Sequence, residues 1–301
     1  MKKIFIKDIK ERDSVTGPFL VSRKETGVSK TGKAYLNLKL MDSTGEIDAR
    51  VWDDAEEVAK GFNKNDVVSI KGFGVAYQGG IQLNVSAVKA LAEGSYSLRD
   101  FLPSSERSHA SLEAELDSIL SSMKDPTRKA LMEAIFADKE IREKFLIAPA
   151  AKAMHHSYLG GLAEHVFSIC ALADKVSSHY GASVNRDLLV SGAMLHDIGK
   201  VYELTYERAF DYSDEGRLIG HITIGVELID RKIASLADFP RELGVLLKHM
   251  VLSHHGQLEF GSPKRPKTIE AIILSYLDDL DAKVNTVRAL LSGKPDGSNW
   301  P

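Results

Sequence analysis

Between Val15 and Lys89 apolar residues alternate with polar ones at the two-residue period of half-buried strands. In Ala34-Tyr35-Leu36-Asn37-Leu38-Lys39-Leu40 the leucines share one face, with Tyr35, Asn37 and Lys39 on the other. Asp42-Ser43-Thr44-Gly45 is a turn, after which Ile47, Ala49 and Val51 continue the inner face, opposite Asp48, Arg50 and Trp52. Residues 53–60 read as a short helix with acids in its first turn, ended by Gly61. Strands follow over 67–75 and 81–88, joined at Gln78-Gly79-Gly80. From Ser111 the period lengthens to that of helices, starting with the stripe Leu112, Leu116, Ile119 and Leu120. Asp125-Pro126 supplies an N-cap and first helical position for a helix through Leu131, Ile135 and Phe136, and a further short helix ends before Pro149. Leu162, Val166, Ile169, Cys170, Ala173 and Val176 form the apolar face of a longer helix closed by Gly181. Asn185 caps the next one, which leads to His196-Asp197, and helices around 221–235, 241–254 and 267–291 follow. Tyr202 to Gly220 reads as irregular, with a small hairpin as one arrangement.

Three strands, a helix and two strands is the order of a small oligonucleotide-binding (OB) barrel. The expected architecture is therefore two-domain: an all-β OB-like barrel over 1–92, a polar linker over 93–111 carrying Pro103, and an all-α domain over 112–301. A length of 301 residues agrees with two domains.

Apolar residues at 44% and charged residues at 27% are ordinary globular values. No apolar run approaches the ~18–20 residues that span a bilayer, and the N-terminus turns charged at once, so no membrane partner is expected. Cys170, the one cysteine, excludes intramolecular disulfides and a thiolate zinc cluster, and a cytoplasmic location fits best. The net charge of −3 argues against a large phosphate footprint on duplex nucleic acid. Residues 1–95 hold 15 Lys and Arg against 13 Asp and Glu, a mildly basic first part that permits a local anion-binding groove.

That part interleaves Phe19, Tyr35, Trp52, Phe73 and Tyr77 with Arg23, Lys24, Lys30, Lys33, Lys39, Arg50 and Lys71. Tyr35, Lys39, Arg50 and Trp52 lie opposite the aliphatic stripes and should point away from the core. Rings beside cations suit single strands, because bases stack on the rings at about 1–3 kcal/mol each while cations follow the phosphates. Tyr35, Lys39, Arg50, Trp52 and Tyr77 are thus candidates for binding single-stranded RNA or DNA. The plainer reading makes Phe19 and Phe73 core residues and the lysines solvated.

Nine of the ten histidines lie between His155 and His255. Leu195-His196-Asp197-Ile198-Gly199-Lys200 sets a histidine and an aspartate side by side, able to flank one cation, with a lysine three residues on that can reach an anion. His165 sits on the apolar helix, His221 starts a helix after Gly220, His254-His255-Gly256 closes another, and Asp278-Asp279-Leu280-Asp281 lies in the last. Each has an ordinary structural explanation alone: a satisfied core histidine, a cap, a cationic helix end, an exposed acidic face. Together, imidazole and carboxylate without thiolate suit Mn, Fe, Co, Ni or Mg better than a structural zinc.

His165, then His196-Asp197, then Asp278 resembles the H…HD…D signature of HD-domain metal-dependent phosphohydrolases, an all-helical fold. The stretches His155-His156-Ser157-Tyr158-Leu159-Gly160-Gly161, Ser253-His254-His255-Gly256 and Asp278-Asp279-Leu280-Asp281-Ala282-Lys283, behind an OB-like domain, resemble the YhaM-type 3′–5′ exoribonucleases over nearly the whole chain. In such proteins a longer tail is expected beyond Gly297-Ser298-Asn299-Trp300-Pro301. The resemblance implies one or two divalent metals, manganese foremost. His165, His196, Asp197 and Asp278 would surround one, and Asp197 would bridge to a second held by His221, His254 and His255. Two cations roughly 3.5–4 Å apart clamp the phosphoryl oxygens of an in-line displacement. Asp197, Lys200 and His156 are then the catalytic candidates, Lys200 to neutralise developing charge and His156 to donate to phosphate or leaving oxygen, unless His156 is half of a structural pair. Asp281 and Lys283 are either an acid behind the ligands and its ion-pair partner, or surface residues that never meet.

The implied activity is metal-dependent 3′–5′ hydrolysis of single-stranded RNA, with DNA left open, to nucleoside monophosphates. One alternative is a hydrolase of free or cyclic nucleotides with a regulatory barrel. Another is a non-enzymatic single-strand binder, disfavoured by the cost of burying imidazoles and carboxylates without a partner. A homo-oligomer is compatible with the sequence.

Overall fold

In a computed structural model of the chain, the described residues are 4–29, 31–92, 94–152, 156–206 and 209–292. His155 and Lys30 lie outside them. Two compact units divide at Ser104/Ser105.

The first unit is built on β1 (Ser14–Val28), β2 (Ala34–Asp42), β3 (Gly45–Val51), the short helix α1 (Ala55–Lys60), β4 (Val67–Tyr77) and β5 (Gly80–Ala90). The strands close a barrel in the order β1-β2-β3-β5-β4, antiparallel except for β3 with β5. Strand β1 serves both edges, pairing β4 with its first half and β2 with its second, and a register shift between Val21 and Arg23 bends it between them. Strand periodicity decides the inside: Phe19, Leu36, Leu38, Leu40, Ala49, Val68, Ile70 and Leu83 fill the core. The same period places Phe73 with Lys71 on the outer face, so Phe73 is not core and is 49% exposed, whereas Phe19 is fully buried. Nor is every lysine merely solvated, since Lys24 Nζ donates to the Ala59 and Phe62 carbonyls at 2.6 and 2.5 Å, capping the end of α1. Within 93–111, expected as a plain linker, Leu98–Asp100 form a 3-10 turn, and the apolar pair Phe101 and Leu102 is buried.

The second unit is helical: α2 (His109–Ser122), α3 (Pro126–Phe136), α4 (Lys139–Ile147), α5 (Gly161–Tyr180), α6 (Arg186–Leu195), α7 (Lys200–Glu203), α8 (Asp214–Leu218), α9 (His221–Ala234), α10 (Arg241–Ser253) and α11 (Ile269–Ser292). The stretch 202–220 does contain a two-strand hairpin, β6 (Leu204–Thr205) with β7 (Asp211–Tyr212). Helix starts follow the capping residues: Ser108, Asp125, Asp138, Asn185 and Ser213 each accept a first-turn amide. Buried Leu162, Val166 and Ile169 of α5, Leu189 and Ala193 of α6, Leu247 and Val251 of α10, and Leu274 of α11 form the core on which the functional helices sit. No helix among the described residues is long and apolar enough to cross a membrane.

Asp187 ties the start of α6 to the start of α3. Its Oδ2 accepts the Lys124 and Asp125 amides, each at 2.7 Å, and its Oδ1 accepts from Arg186 at 2.9 Å. Burial opposes its ionisation, yet Arg186 and the two amides hold its pKa below the ordinary carboxylate value. A carboxylate so depressed stabilises fully above its unfolded pKa of about 3.9 and loses that contribution as pH falls through the folded value. Asp187→Ala should therefore lower the unfolding free energy by about 1–3 kcal/mol at neutral pH, because two part-buried amides lose a charged acceptor. In denaturant titrations the gap from the parent should narrow below about pH 4; equal midpoints at neutral pH would contradict this role.

Candidate metal centre

Helix ends bring the functional side chains together. His165 is on the fifth residue of α5, inside its apolar face. His196 caps the C-terminus of α6, and Asp197 and Lys200 follow in the turn into α7. His254 caps the C-terminus of α10, with His255 next, and His221 opens α9. Asp278 and Asp281, three residues apart on α11, share the face that buries Leu274 and Leu277. Gly199 makes the convergence possible, since a Cβ there would lie 1.9 Å from the His221 carbonyl oxygen. Two helix C-termini and two carboxylates thus face one spot, a field that favours a cation.

Asp197 stands at the centre and is 2% exposed. Its Oδ2 lies 3.4 Å from His196 Nε2 and 3.7 Å from His165 Nε2. Its Oδ1 lies 3.5 Å from His221 Nε2 and 3.6 Å from His254 Nε2. Asp278 Oδ1 is 3.2 Å from His165 Nε2 and 3.8 Å from His196 Nε2. Three groups have donor atoms within 4.8 Å of one another, and two of them flank Asp197: His165 with His196 and Asp278, and His221 with His254 and His255, while His156, His165 and Asp281 form the third behind them. One oxygen of Asp197 is turned to each of the two that flank it.

The outer nitrogens are engaged. Nδ1 of His196 bonds the Ala193 carbonyl at 2.8 Å and that of His254 the Val251 carbonyl at 2.7 Å. His165 Nδ1 pairs with Asp281 Oδ2 at 2.8 Å, and His221 Nδ1 with Glu203 Oε1 at 3.0 Å. A histidine that donates its Nδ1 proton outward presents a lone pair on Nε2 inward, the form a metal ligates. His196 Nε2, Asp197 Oδ1, His221 Nε2 and His254 Nε2 are buried and find no hydrogen-bond partner among the described residues. Buried polar atoms of this kind are costly unless something satisfies them. Divalent metal fits this donor set.

The electrostatics favour a cation at His254, His255 and Asp197, whereas His165 carries a proton that a cation would displace. Burial pushes His254 well below its ordinary pKa and His255 below it too, so both stay neutral with a lone pair to offer. Burial works against ionised Asp197, but Lys200, whose Nζ lies 2.7 Å from Oδ2, and His196 hold its pKa well down. Asp197 in turn keeps buried Lys200 charged against its own desolvation. Burial alone would discharge His165, yet hydrogen bonds to Asp278 and Asp281 raise it to about 9.

Of the remaining candidates, His156 is brought close, but both its ring nitrogens are taken, Nδ1 by Tyr158 Oη at 2.9 Å and Nε2 by Asp281 Oδ2 at 3.1 Å. Tyr158 donates onward to Glu164 at 2.5 Å, and Ser168 donates to Asp281 Oδ1 at 2.5 Å. Asp281 is therefore the acid behind His165, while Lys283 pairs with Asp279 at 2.7 Å, leaving the two apart. Sequence reasoning missed Glu203, which accepts both the His221 amide and ring proton, because it lies in the stretch read as irregular. A carboxylate at the unfavourable C-terminal end of a helix was the available signal.

On the barrel, Arg50 draws the aromatic candidates together, its guanidinium carbon lying 5.5 Å from the Tyr35 ring centre, 5.8 Å from Trp52 and 5.0 Å from Tyr77. Tyr35 and Trp52 are 5.1 Å apart between centroids. Gly27 gives Tyr35 its place, for a Cβ there would lie 2.6 Å from the ring. Lys39 stands aside, 3.4 Å from Glu46.

A family profile described as HD domain matches residues 162–283, and one described as OB-fold nucleic acid binding domain matches residues 20–91. The protein is of the class that joins an OB barrel to an HD domain. The protein named 3'-5' exoribonuclease YhaM from Geobacillus sp. (strain WCH70) is 37% identical over 278 residues, 92% of this chain and 85% of that one. The chain belongs to the YhaM family. Among solved structures, a domain of replication protein A from Methanococcus maripaludis is 21% identical, covering 29% of this chain and 93% of that one with a TM-score of 0.26. The mitochondrial single-stranded DNA binding protein Rim1 from S. cerevisiae is 12% identical, covering 28% and 100%, with a TM-score of 0.24.

Because His165 holds a proton up to about pH 9 in the metal-free protein, a cation must displace it. Calorimetric affinity for Mn²⁺ should rise by about tenfold per pH unit between pH 6 and 8, with proton release visible in buffers of different ionisation enthalpy. A pH-independent affinity would contradict this picture of His165.

Proposed function

We propose that the protein is a metal-dependent 3′–5′ exonuclease that shortens single-stranded RNA from its 3′ end and releases nucleoside monophosphates. The observation that carries this is Asp197, a buried carboxylate with one oxygen toward each of two imidazole groups. The family's named activity supports the substrate and the direction. In this reading His165, His196 and Asp278 would hold one divalent cation and His221, His254 and His255 a second, with Asp197 available to either. Bound divalent cations, manganese by preference, would supply Lewis acidity toward the phosphoryl oxygens. Hydrolysis breaks the bond between phosphorus and the 3′ oxygen of the preceding nucleotide, leaving a strand one residue shorter with a new 3′ hydroxyl.

The chain's own residues then have distinct tasks. Lys200, kept protonated in a buried site, balances negative charge growing on the phosphoryl oxygens. Asp281 and Glu203 orient His165 and His221 through their outer nitrogens. His156, with its ring already held by Tyr158 and Asp281, steadies Asp281 rather than donating to substrate. The barrel's Tyr35, Trp52 and Tyr77 stack bases while Arg50 follows the phosphates, and Lys39, paired with Glu46, stays outside this cluster. A cytoplasmic location accords with a lone buried cysteine.

The test incubates 5′-labelled RNA and DNA of one sequence with metal-stripped protein resupplied with Mn²⁺, Co²⁺ or Mg²⁺. A ladder receding from the 3′ end is expected, faster on RNA. If neither strand shortens with any metal while free nucleotides are hydrolysed, the nucleotide-hydrolase account replaces this one. Asp197→Ala should abolish the ladder yet bind the strand as the parent does, and equal loss of both would remove the division of labour. Trp52→Ala should weaken strand binding by about 1–3 kcal/mol with Mn²⁺ affinity unchanged; an unaltered dissociation constant would take Trp52 out of the interface.

A further inference from the structure

A second cleft opens beside the proposed metal centre. The pocket over the ligands, about 230 Å³, is lined by Asp197, Lys200, His254 and Asp278 among others. Its neighbour, about 390 Å³, is lined by Gln257, Arg265, Ile272 and Tyr276 among others. His255, Phe260, Ser275 and Asp279 line both, so the two spaces share a wall. The larger space lies in the range of small-ligand pockets.

Two large rings border this cleft without being buried, Phe260 at 68% and Tyr276 at 72% exposed. Phe260 is not on a loose excursion. It ends the 3-10 turn Leu258–Phe260, closed by the Gly261 amide on the Leu258 carbonyl at 3.0 Å. Directly after it, buried Ser262 bonds the Leu252 and Lys264 carbonyls at 3.0 and 2.9 Å, pinning the loop to the end of α10. Tyr276 rises from the middle of α11, two residues before Asp278. Rings held on anchored backbone, exposed, beside a phosphate-handling site, with the exposed guanidinium of Arg265 on the same wall, match the flat faces of a nucleobase. Lys200 lies on the ligand side and Tyr276 on the far side, with His255 and Phe260 on the wall common to both clefts.

We propose that this cleft receives the nucleoside of the nucleotide being released, its base stacked against Phe260 and Tyr276 and its 5′ phosphate toward the ligand cluster. The assignment rests on the exonuclease reading and adds a base-recognising subsite to it. The subsite is indifferent to base identity to the extent that stacking dominates, and it gives an abasic or truncated terminal residue less purchase.

The competing explanation of Tyr276 is the apolar stripe of α11, where Ile272, Tyr276, Leu280 and Val284 follow one another at four-residue steps, all exposed, as a contact between copies of the chain would require.

The test uses the full chain loaded with Mn²⁺ and two probes, AMP and ribose 5-phosphate, in calorimetric titrations. The parent should bind AMP about tenfold or more tighter than ribose 5-phosphate, the contribution of one stacked base. Phe260→Ala and Tyr276→Ala should each bring that ratio toward one while affinities for ribose 5-phosphate and Mn²⁺ stay unchanged, and Tyr276→Phe should retain it. Equal binding of the two probes by the parent, no binding of either, or AMP affinity untouched in both alanine variants would overturn the proposal. A change of molar mass in Tyr276→Ala with AMP affinity unaltered would do the same and assign the ring to a subunit contact. Base-dependent binding of AMP by a protein that fails to shorten RNA would uphold the cleft and remove the exonuclease reading, so the two failures are distinguishable.

Discussion

The helical unit is arranged around a carboxylate that should not be where it is. Asp197 is ionised in a place almost without water, and a lone buried carboxylate of that kind is strongly unfavourable. Its charge is accommodated by Lys200 one turn later and by a ring of imidazoles supplied from four helices. Each of those imidazoles needs its outer nitrogen occupied, which explains why carbonyls of α6 and α10 and the acids Glu203 and Asp281 sit where they do. The close passage of Gly199 under the first turn of α9 follows from the same requirement, since His221 can reach Asp197 only if the two backbones nearly touch.

Much of this was legible before any coordinates. The two periods separate barrel from helices, and the capping residues Asp125 and Asn185 place the starts of α3 and α6. His165, His196, Asp197, Asp278, His221, His254 and His255 stood out as a set through the resemblance to HD-domain phosphohydrolases, and the structure brings their side chains together. What sequence could not supply was the layer behind. Glu203 meets His221 across eighteen residues of turns and a hairpin, and nothing in local pattern joins them. Asp281 could be read as buried brace or surface acid until α11 was oriented, and His156 looked available until Tyr158 and Asp281 were seen to occupy its ring.

In the barrel the alternation was reliable wherever the register continued, which is why Tyr35, Arg50 and Trp52 fall together on the outer face. Size misled where alternation did not: Phe73 is large enough for the core, but its parity puts it outside. Lysines were harder still, since a charge at a strand edge can face solvent, a carboxylate or a helix end. Lys24 turned out to cap α1, Lys33 to pair with Asp53, and Lys39 to lean toward Glu46.

The ligand-bearing helices are held by Leu162, Leu189, Leu247 and Leu274 and their neighbours, none of which touches the donor atoms' chemistry. Small zinc modules behave otherwise, because there the ion does the work of a missing core and chelation unfolds the chain. Here the walls of the site stand on a hydrocarbon core that does not run through the donor atoms. A socket whose shape is set by packing rather than by coordination owes its chemistry, and not its form, to whatever it holds.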